Sequence, residues 1–314
     1  MTTVTASDEW VVGIDVGGTG ARARAVHLQS GATREHRTTG TSATSTGAPT
    51  AVVEAARAVA HDLPPDQSIA AVVVGASGFS TMASGLAETR QRVAEVLRCD
   101  LIGFAPDILI AHVGALGDRP GTVLAVGTGA IALARTTTGD WHRVDGWGHL
   151  LGDLGSASWI GQQGLIAALR QHDGRTTGAA SLLVAATERF GDPPTWPRQF
   201  SERADRAGVF ASFAPEVLAG RDNTSRHIRV LALDHLTDTA TTALALADVP
   251  PVLALTGGVF DGANFREALA EQVRVGTGAE ITVAAGSPLD GAIVLARDAI
   301  AGQRPTAAGL LLWS

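Results

Sequence analysis

Residues 10–28 read WVVGIDVGGTGARARAVHL. The run Trp10 to Ile14 is continuously apolar and reads as a buried strand. From Ala21 to Leu28, small or apolar residues alternate with Arg22, Arg24 and His27, the pattern of a strand with one wet face. Between the two lie Asp15, Gly17, Gly18 and Gly20, so the chain reverses through a tight turn that bares backbone N–H groups beside one carboxylate. Such a turn serves as plain hairpin chemistry or as a holder for a phosphate and a metal ion, and the pattern alone leaves both open.

The same strand–glycine turn motif recurs. Residues 121–135, GTVLAVGTGAIALAR, give a strand, Gly127-Thr128-Gly129, and a second strand. Residues 251–265, PVLALTGGVFDGANF, give a strand, Gly257-Gly258, and a helix. Two strand–turn–strand copies about 110 residues apart predict a duplicated architecture. Parallel sheets place such turns at the carboxyl ends of strands, where ligands bind. Gly17, Gly18, Gly127 and Gly129 would let a backbone approach phosphates, Thr19 and Thr128 would add hydroxyls, and Asp15 would bind Mg2+ directly or through water.

Composition narrows the chemistry. The 314 residues are enough for two domains with separate cores, and 45% hydrophobic with 18% charged residues suits a globular chain. The net charge is −7, and the arginines are scattered, which argues against nucleic acid or an anionic membrane as the main partner. No apolar run approaches the ~20 residues of a bilayer span, and the first ten residues lack signal-peptide character, so the cytoplasm is the expected location. The single Cys99 cannot alone build a disulfide or a zinc site and is expected to be a packed side chain. There is no lysine, so any phosphate must be held by backbone amides, hydroxyls, arginine or a metal.

Further along, residues 38–50 read as a polar loop and 49–61 as a short helix. IAAVVVGASGF reads as a buried strand entering a glycine turn at Gly75 and Gly78, followed by a helix over 84–97. DLIGFAPDILIAHVGAL predicts a strand, a turn at Pro106–Asp107, and a helix. Residues 145–165 form a glycine-rich loop entering a helix capped by Ser156. Residues 165–247 are mostly helical with a break at GDPPTWP, and a strand EITVAAG precedes a helix from about Leu289.

GIDVGGTGARA, VLAVGTGA and LALTGGV resemble the two phosphate motifs and the adenosine motif of the actin–hexokinase ATPase superfamily. DGWGHLLGDLGSASWIG, residues 145–161, resembles the signature of the BadF/BadG-type ATPase family, which includes N-acetylglucosamine and glucosamine kinases. The resemblance runs from Val11 to about Ala301. It implies an α/β, two-domain actin-like (ribonuclease H-like) fold with ATP and sugar in a cleft between the domains. The domains would span 1–115, with the C-terminal helix 289–314 packing back on it, and 116–288, with a helical insertion.

By the same resemblance, ATP would be held by Gly17, Gly18, Thr19, Gly127, Thr128, Gly129, Gly257 and Gly258, with Mg2+ at Asp15. Asp107 would be the catalytic base that takes the proton of the sugar's primary hydroxyl; its other reading is a helix N-cap. Ser77, Gly78, Trp147, Gly148 and Asp153 fall on the sugar side. Asp153 alternatively caps the helix that Ser156 begins, and Trp147 alternatively packs. His112, His142 and His149 read as structural, and Arg175 has no assigned role.

Two departures stand out: Leu154 replaces the glutamate usual in Gly-Asp-Glu-Gly-Ser, and a sugar-binding asparagine expected after Gly40 is missing, with Ala43 near its place. The expected activity is ATP-dependent phosphorylation of an amino sugar, glucosamine or N-acetylglucosamine. The alternatives are a kinase for another hexose or a sugar- or nucleotide-sensing protein with little turnover. The family's dehydratase activators need two cysteines per subunit for an iron–sulfur cluster, which one cysteine cannot supply. The resemblance also suggests a homodimer.

Overall fold

The structure, a computed structural model, describes residues 9–18, 20–38, 47–64, 66–78, 85–248, 251–303 and 311–313. The chain divides into two compact units. One comprises residues 1–123, 135–141 and 283–314, and the other comprises 124–134 and 142–282.

The first unit is built on a six-stranded sheet. Its strands are β1 (Glu9–Val16), β2 (Ala21–His27), β3 (Thr33–Thr38), β4 (Ser68–Ala76) and β5 (Ile102–Pro106), with β11 (Leu312–Trp313) at one edge, in the order β11-β5-β4-β1-β2-β3. β1, β2 and β3 form an antiparallel meander, whereas β1, β4 and β5 run parallel. Strand alternation explains how the sheet is covered. Val12 and Ile14 point into a core shared with the helices α1 (Ala48–His61) and α2 (Leu86–Leu97). Gly13, on the other face, lies against α11 (Pro288–Ile300), where a Cβ would sit 3.0 Å from that of Ala292.

On that face α11 also crosses α3 (Asp107–Leu116), in which every residue from Ile108 to Leu116 is buried. Ile110 of α3 presses on Gly75 of β4 so closely that a Cβ there would lie 2.1 Å from its Cδ1. The start of α11 is fixed by a capping box between Ser287 and Asp290, and Asp290 also pairs with Arg24 of β2, which in turn holds Glu35 of β3 at 2.8 Å.

The second unit's sheet has strands β6 (Gly121–Val126), β7 (Ala130–Arg135), β8 (Trp141–Asp145), β9 (Val252–Thr256) and β10 (Glu280–Thr282), in the order β10-β9-β6-β7-β8. Numbered within each sheet, the first five strands of both read 3-2-1-4-5. The duplication suggested by the repeated glycine turns is therefore present in the topology.

Seven helices join this sheet: α4 (Ala157–His172), α5 (Ala180–Phe190), α6 (Trp196–Ser201), α7 (Arg206–Ala211), α8 (Ala214–Ala219), α9 (Asn223–Leu246) and α10 (Ala263–Thr277). At GDPPTWP the chain makes a 3-10 turn over Pro193–Thr195. Trp196 is buried there and donates its indole N–H to the Gly191 carbonyl at 2.9 Å.

Several expectations need correction. The C-terminal helix ends at Ile300, and Leu312–Trp313 instead pair antiparallel with β5, the Trp313 ring covering Gly103. No turn intervenes at Pro106–Asp107: proline's fixed φ suits the end of a strand, and Asp107 is already the first helical residue. β3 and β8 carry polar, weakly alternating sequences and were not apparent as strands.

Candidate active site

In the first unit, strand register alone gathers three of the expected residues. Val16, Ala76 and Pro106 are aligned across β1, β4 and β5. The residues that follow them, Gly17, Ser77 and Asp107, therefore share one carboxyl edge, about 10 Å across at ~4.8 Å per strand. Asp15 is one residue before Val16, paired with Gly75 on one side and with Arg22 on the other. The turn closes through Gly17 N–H donating to the Gly20 carbonyl at 2.9 Å. Burial pushes the Asp15 carboxyl up to about 6, against the opposing pull of Arg22. It is still ionised at neutral pH and is a hard oxygen donor of the kind Mg2+ accepts.

Asp107 is half-buried, and its Oδ1 accepts from the Ile108 N–H at 2.8 Å. A carboxylate suits this first turn of a helix, where the backbone dipole favours negative charge. Ser77 directs both its N–H and its hydroxyl to the Val16 carbonyl, at 2.9 and 3.2 Å, and thereby ties the edge together. Gly78 follows with φ of +71°. Thr19, Gly40 and Ala43 lie outside the described residues.

In the second unit, the 127–129 turn follows β6 and is closed by Gly127 N–H to the Gly129 carbonyl at 2.9 Å. A Cβ on Gly127 would meet nothing within 4 Å among the described residues, so its backbone is approachable there, as a phosphate cradle requires. The turn's carbonyls are engaged by the next helix: Ala157 N–H donates to Gly127 and Ser158 N–H to Thr128. Ser156 caps that helix as expected, its hydroxyl accepting from Trp159 N–H at 3.2 Å. Gly257, with φ of +108°, lies against the end of β6, where a Cβ would fall 2.3 Å from the Val126 carbonyl oxygen. Beside Gly258, among the described residues, only Asp261 comes within 4 Å of such a Cβ. The open backbone at Gly127 and Gly258 fits a nucleotide.

The loop 145–155 concentrates unusual backbone angles. Asp145, Gly146, Gly148, Asp153 and Gly155 all have positive φ, a region uncommon for aspartate and a mark of an over-determined backbone. The Asp145 Oδ1 accepts from Asp153 N–H at 2.9 Å. Asp153 is 8% exposed, and its carboxyl packs against Gly129, where a Cβ would lie 2.7 Å from Oδ2. Burial, and then the nearby Asp145 charge, push it up to about 6. Trp147 is 66% exposed with the Arg143 guanidinium over its ring at 4.2 Å, and Leu150, Leu151 and Leu154 are also exposed.

Sequence reasoning missed Asp145. Its signal is the Asp145-Gly146 pair that opens the loop, a turn dipeptide, but the backbone bond it accepts across eight residues has no local pattern.

The histidines are less completely satisfied than expected. His112 is buried and shares one ring nitrogen with the Gly121 carbonyl at 3.1 Å, while its Nδ1 has no partner among the described residues. Burial lowers it to about 4, so it is neutral. His149 is lowered by burial and by Arg206. Arg175 pairs with Asp173 at the surface. Burial pushes the Cys99 thiol up to about 11, in keeping with a packed side chain. No helix among the described residues is long and apolar enough to cross a membrane.

Two sheets, each of 3-2-1-4-5 order with a glycine turn after its first strand, define an ATPase of the actin–hexokinase fold. The chain belongs to the BadF/BadG/BcrA/BcrD ATPase family, whose profile matches residues 12–296.

A solved structure assigned as an N-acetylglucosamine kinase from Chromobacterium violaceum superposes with a TM-score of 0.70 at 25% identity, covering 92% of this chain and 99% of that one. A second, likewise assigned, from Porphyromonas gingivalis has a TM-score of 0.66 at 20% identity, covering 90% and 97%. A curated relative, the N-acetylmuramic acid/N-acetylglucosamine kinase of Clostridium acetobutylicum, is 41% identical over 69 residues, a match that spans 22% of each chain.

Proposed function

We propose that the protein is an ATP-dependent kinase that phosphorylates the primary (6-) hydroxyl of an amino sugar, N-acetylglucosamine or glucosamine. The observation that carries this reading is the shared carboxyl edge of Gly17, Ser77 and Asp107, with Asp15 two residues before Gly17, in a chain whose family match spans nearly its whole length. Asp107 accepts the proton of the attacking hydroxyl from the first turn of α3, where its Oδ1 also accepts from Ile108 N–H. The backbone amides of the Gly17–Gly18 and Gly127–Gly129 turns, with the Thr19 and Thr128 hydroxyls, hold phosphate oxygens in place of the absent lysine, and Gly257 and Gly258 flank the adenosine. Mg2+ at Asp15 would neutralise phosphate charge. Trp147, with Gly148, supplies an apolar ring beside the sugar, a surface suited to the C–H face of a hexose.

The test is ADP release by the purified chain across N-acetylglucosamine, glucosamine, N-acetylmannosamine and glucose, with product mapping by phosphorus NMR. The reading expects a sugar-dependent signal, strongest with an amino sugar, and phosphate on O6. ATP binding without sugar-dependent ADP release would instead mark a sensing protein of the same fold.

A further inference from the structure

We infer that Ala157 and Ser158, the first two residues of α4, are positioning residues: their amides hold the carbonyls of the Gly127–Gly129 turn and so aim the N–H groups of Thr128 and Gly129 the opposite way, as a cradle for an anion. That the anion is a phosphate of ATP rests on the kinase reading; the aim of the amides is a matter of geometry.

Ala157 N–H donates to the Gly127 carbonyl at 2.9 Å, and Ser158 N–H to the Thr128 carbonyl at 3.1 Å. The peptides of the turn are trans, so each N–H points opposite to the C=O it adjoins. A carbonyl drawn toward α4 therefore turns the next residue's N–H away from it, first at Thr128 and then at Gly129. Neither of these N–H groups bonds to another of the described residues. Two successive donors, left open on a turn whose Gly127 is approachable, are the arrangement that takes an anionic oxygen.

The helix keeps none of its own leading amides for a ligand. Trp159 N–H goes to the Ser156 hydroxyl at 3.2 Å and Ile160 N–H to the Ser156 carbonyl at 2.8 Å, so with Ala157 and Ser158 all four are taken. The two peptide units of the turn are oriented as those of the helix are, with N–H groups leading, and they carry its partial positive charge forward. In a chain without lysine, backbone alone thus gives the turn a fixed positive character.

Ala157→Pro tests this, because proline removes the amide yet suits the first helical position. Ser156, at φ −68° and ψ 170°, is already extended, as a residue before proline must be. The helix should persist while the turn loses its hold. Calorimetry measures Mg·ATP and adenosine, and NMR follows the Thr128 and Gly129 amide protons as Mg·ATP is added. In the wild type both protons should move downfield on binding. In Ala157→Pro the dissociation constant for Mg·ATP should rise about tenfold, the scale of one lost charge-assisted hydrogen bond, while that for adenosine holds. Ala157→Ser, which keeps the amide, should bind both as the wild type does.

Bound Mg·ATP that leaves both wild-type amide protons unmoved would overturn the inference, whether or not the proline variant folds. So would a folded Ala157→Pro chain that binds Mg·ATP as tightly as the wild type, or one that loses adenosine to the same degree. A chain that shows both shifts yet phosphorylates no sugar would remove the kinase reading and leave the cradle standing.

Discussion

Gly291 of α11 lies against α3 so closely that a Cβ on it would fall 1.9 Å from the Ile110 carbonyl oxygen and 2.5 Å from the Gly114 nitrogen. Gly114 answers in kind, with a Cβ there 2.1 Å from the Ser287 carbonyl oxygen. Each obstacle is backbone, which cannot swing aside as a side-chain tip can. An exposed helical glycine usually gains up to about 1 kcal/mol on replacement by alanine. Here Gly291→Ala is expected to destabilise by roughly 1–3 kcal/mol, the cost of overpacking. Because α3 begins at Asp107, turnover should fall with it. Thermal melting checks the sign: a rise in Tm would mean that the helices do not cross this tightly.

Asp15 gives a prediction in pH. Its carboxyl titrates at about 6 in the fold against an ordinary 3.8, because burial disfavours the charge. A raised value means that the folded chain holds the proton more tightly than the unfolded one. The stability this confers is complete below about pH 4 and is lost as pH rises through 6. Asp15→Asn, which cannot ionise, should therefore match the wild type near pH 4 and exceed it by about 2–3 kcal/mol above pH 7. The same variant should bind Mg·ATP poorly and lose turnover. Denaturant melts from pH 4 to 8 test this; a variant that is no more stable at pH 7.5 than at pH 4, relative to wild type, contradicts it.

Most of the fold was legible because its signals are local. Buried apolar runs marked β1, β4, β5, β6 and β9, and the repeat of strand and glycine turn announced two copies of one topology. β3 and β8 escaped, since TREHRT and WHRVD gain strand character only by pairing with a neighbour. β11 escaped because two residues carry no period, and Trp313 is recognisable only by the glycine it covers. For the candidate site, Asp15 and Asp107 stood out because one lies next to the end of an apolar strand and the other directly follows one. The setting of Asp153 could not, because it depends on positive backbone angles and on a close approach to Gly129, distant in sequence.

Sugar preference follows from Leu154, which stands where the family pattern has glutamate. With no carboxyl there and Ala43 near the place of the expected asparagine, fewer polar side chains would be offered to an acetamido group. Glucosamine should be used at least as well as N-acetylglucosamine. A kcat/KM ratio above about 100 for the acetylated sugar, equivalent to ~2.7 kcal/mol of discrimination, would contradict this.

Trp147 offers a separate handle on the same loop. Its ring is exposed under Arg143 and takes little part in the core, so Trp147→Ala should leave Tm within a degree or two. KM for the sugar should rise about tenfold while KM for ATP holds, on the scale of one lost stacking contact. Equal effects on both substrates would place the ring elsewhere than beside the sugar.

The central claim, that Asp107 is the base of a sugar kinase, is tested most directly by the turnover number of Asp107→Asn. Asparagine keeps the size and can still accept from Ile108 N–H, so the fold should be nearly unaffected. The account predicts a fall in turnover of roughly 10²–10⁴ with Tm almost unchanged, the usual contribution of a positioned base. Near-normal turnover in a stable Asp107→Asn protein would contradict it.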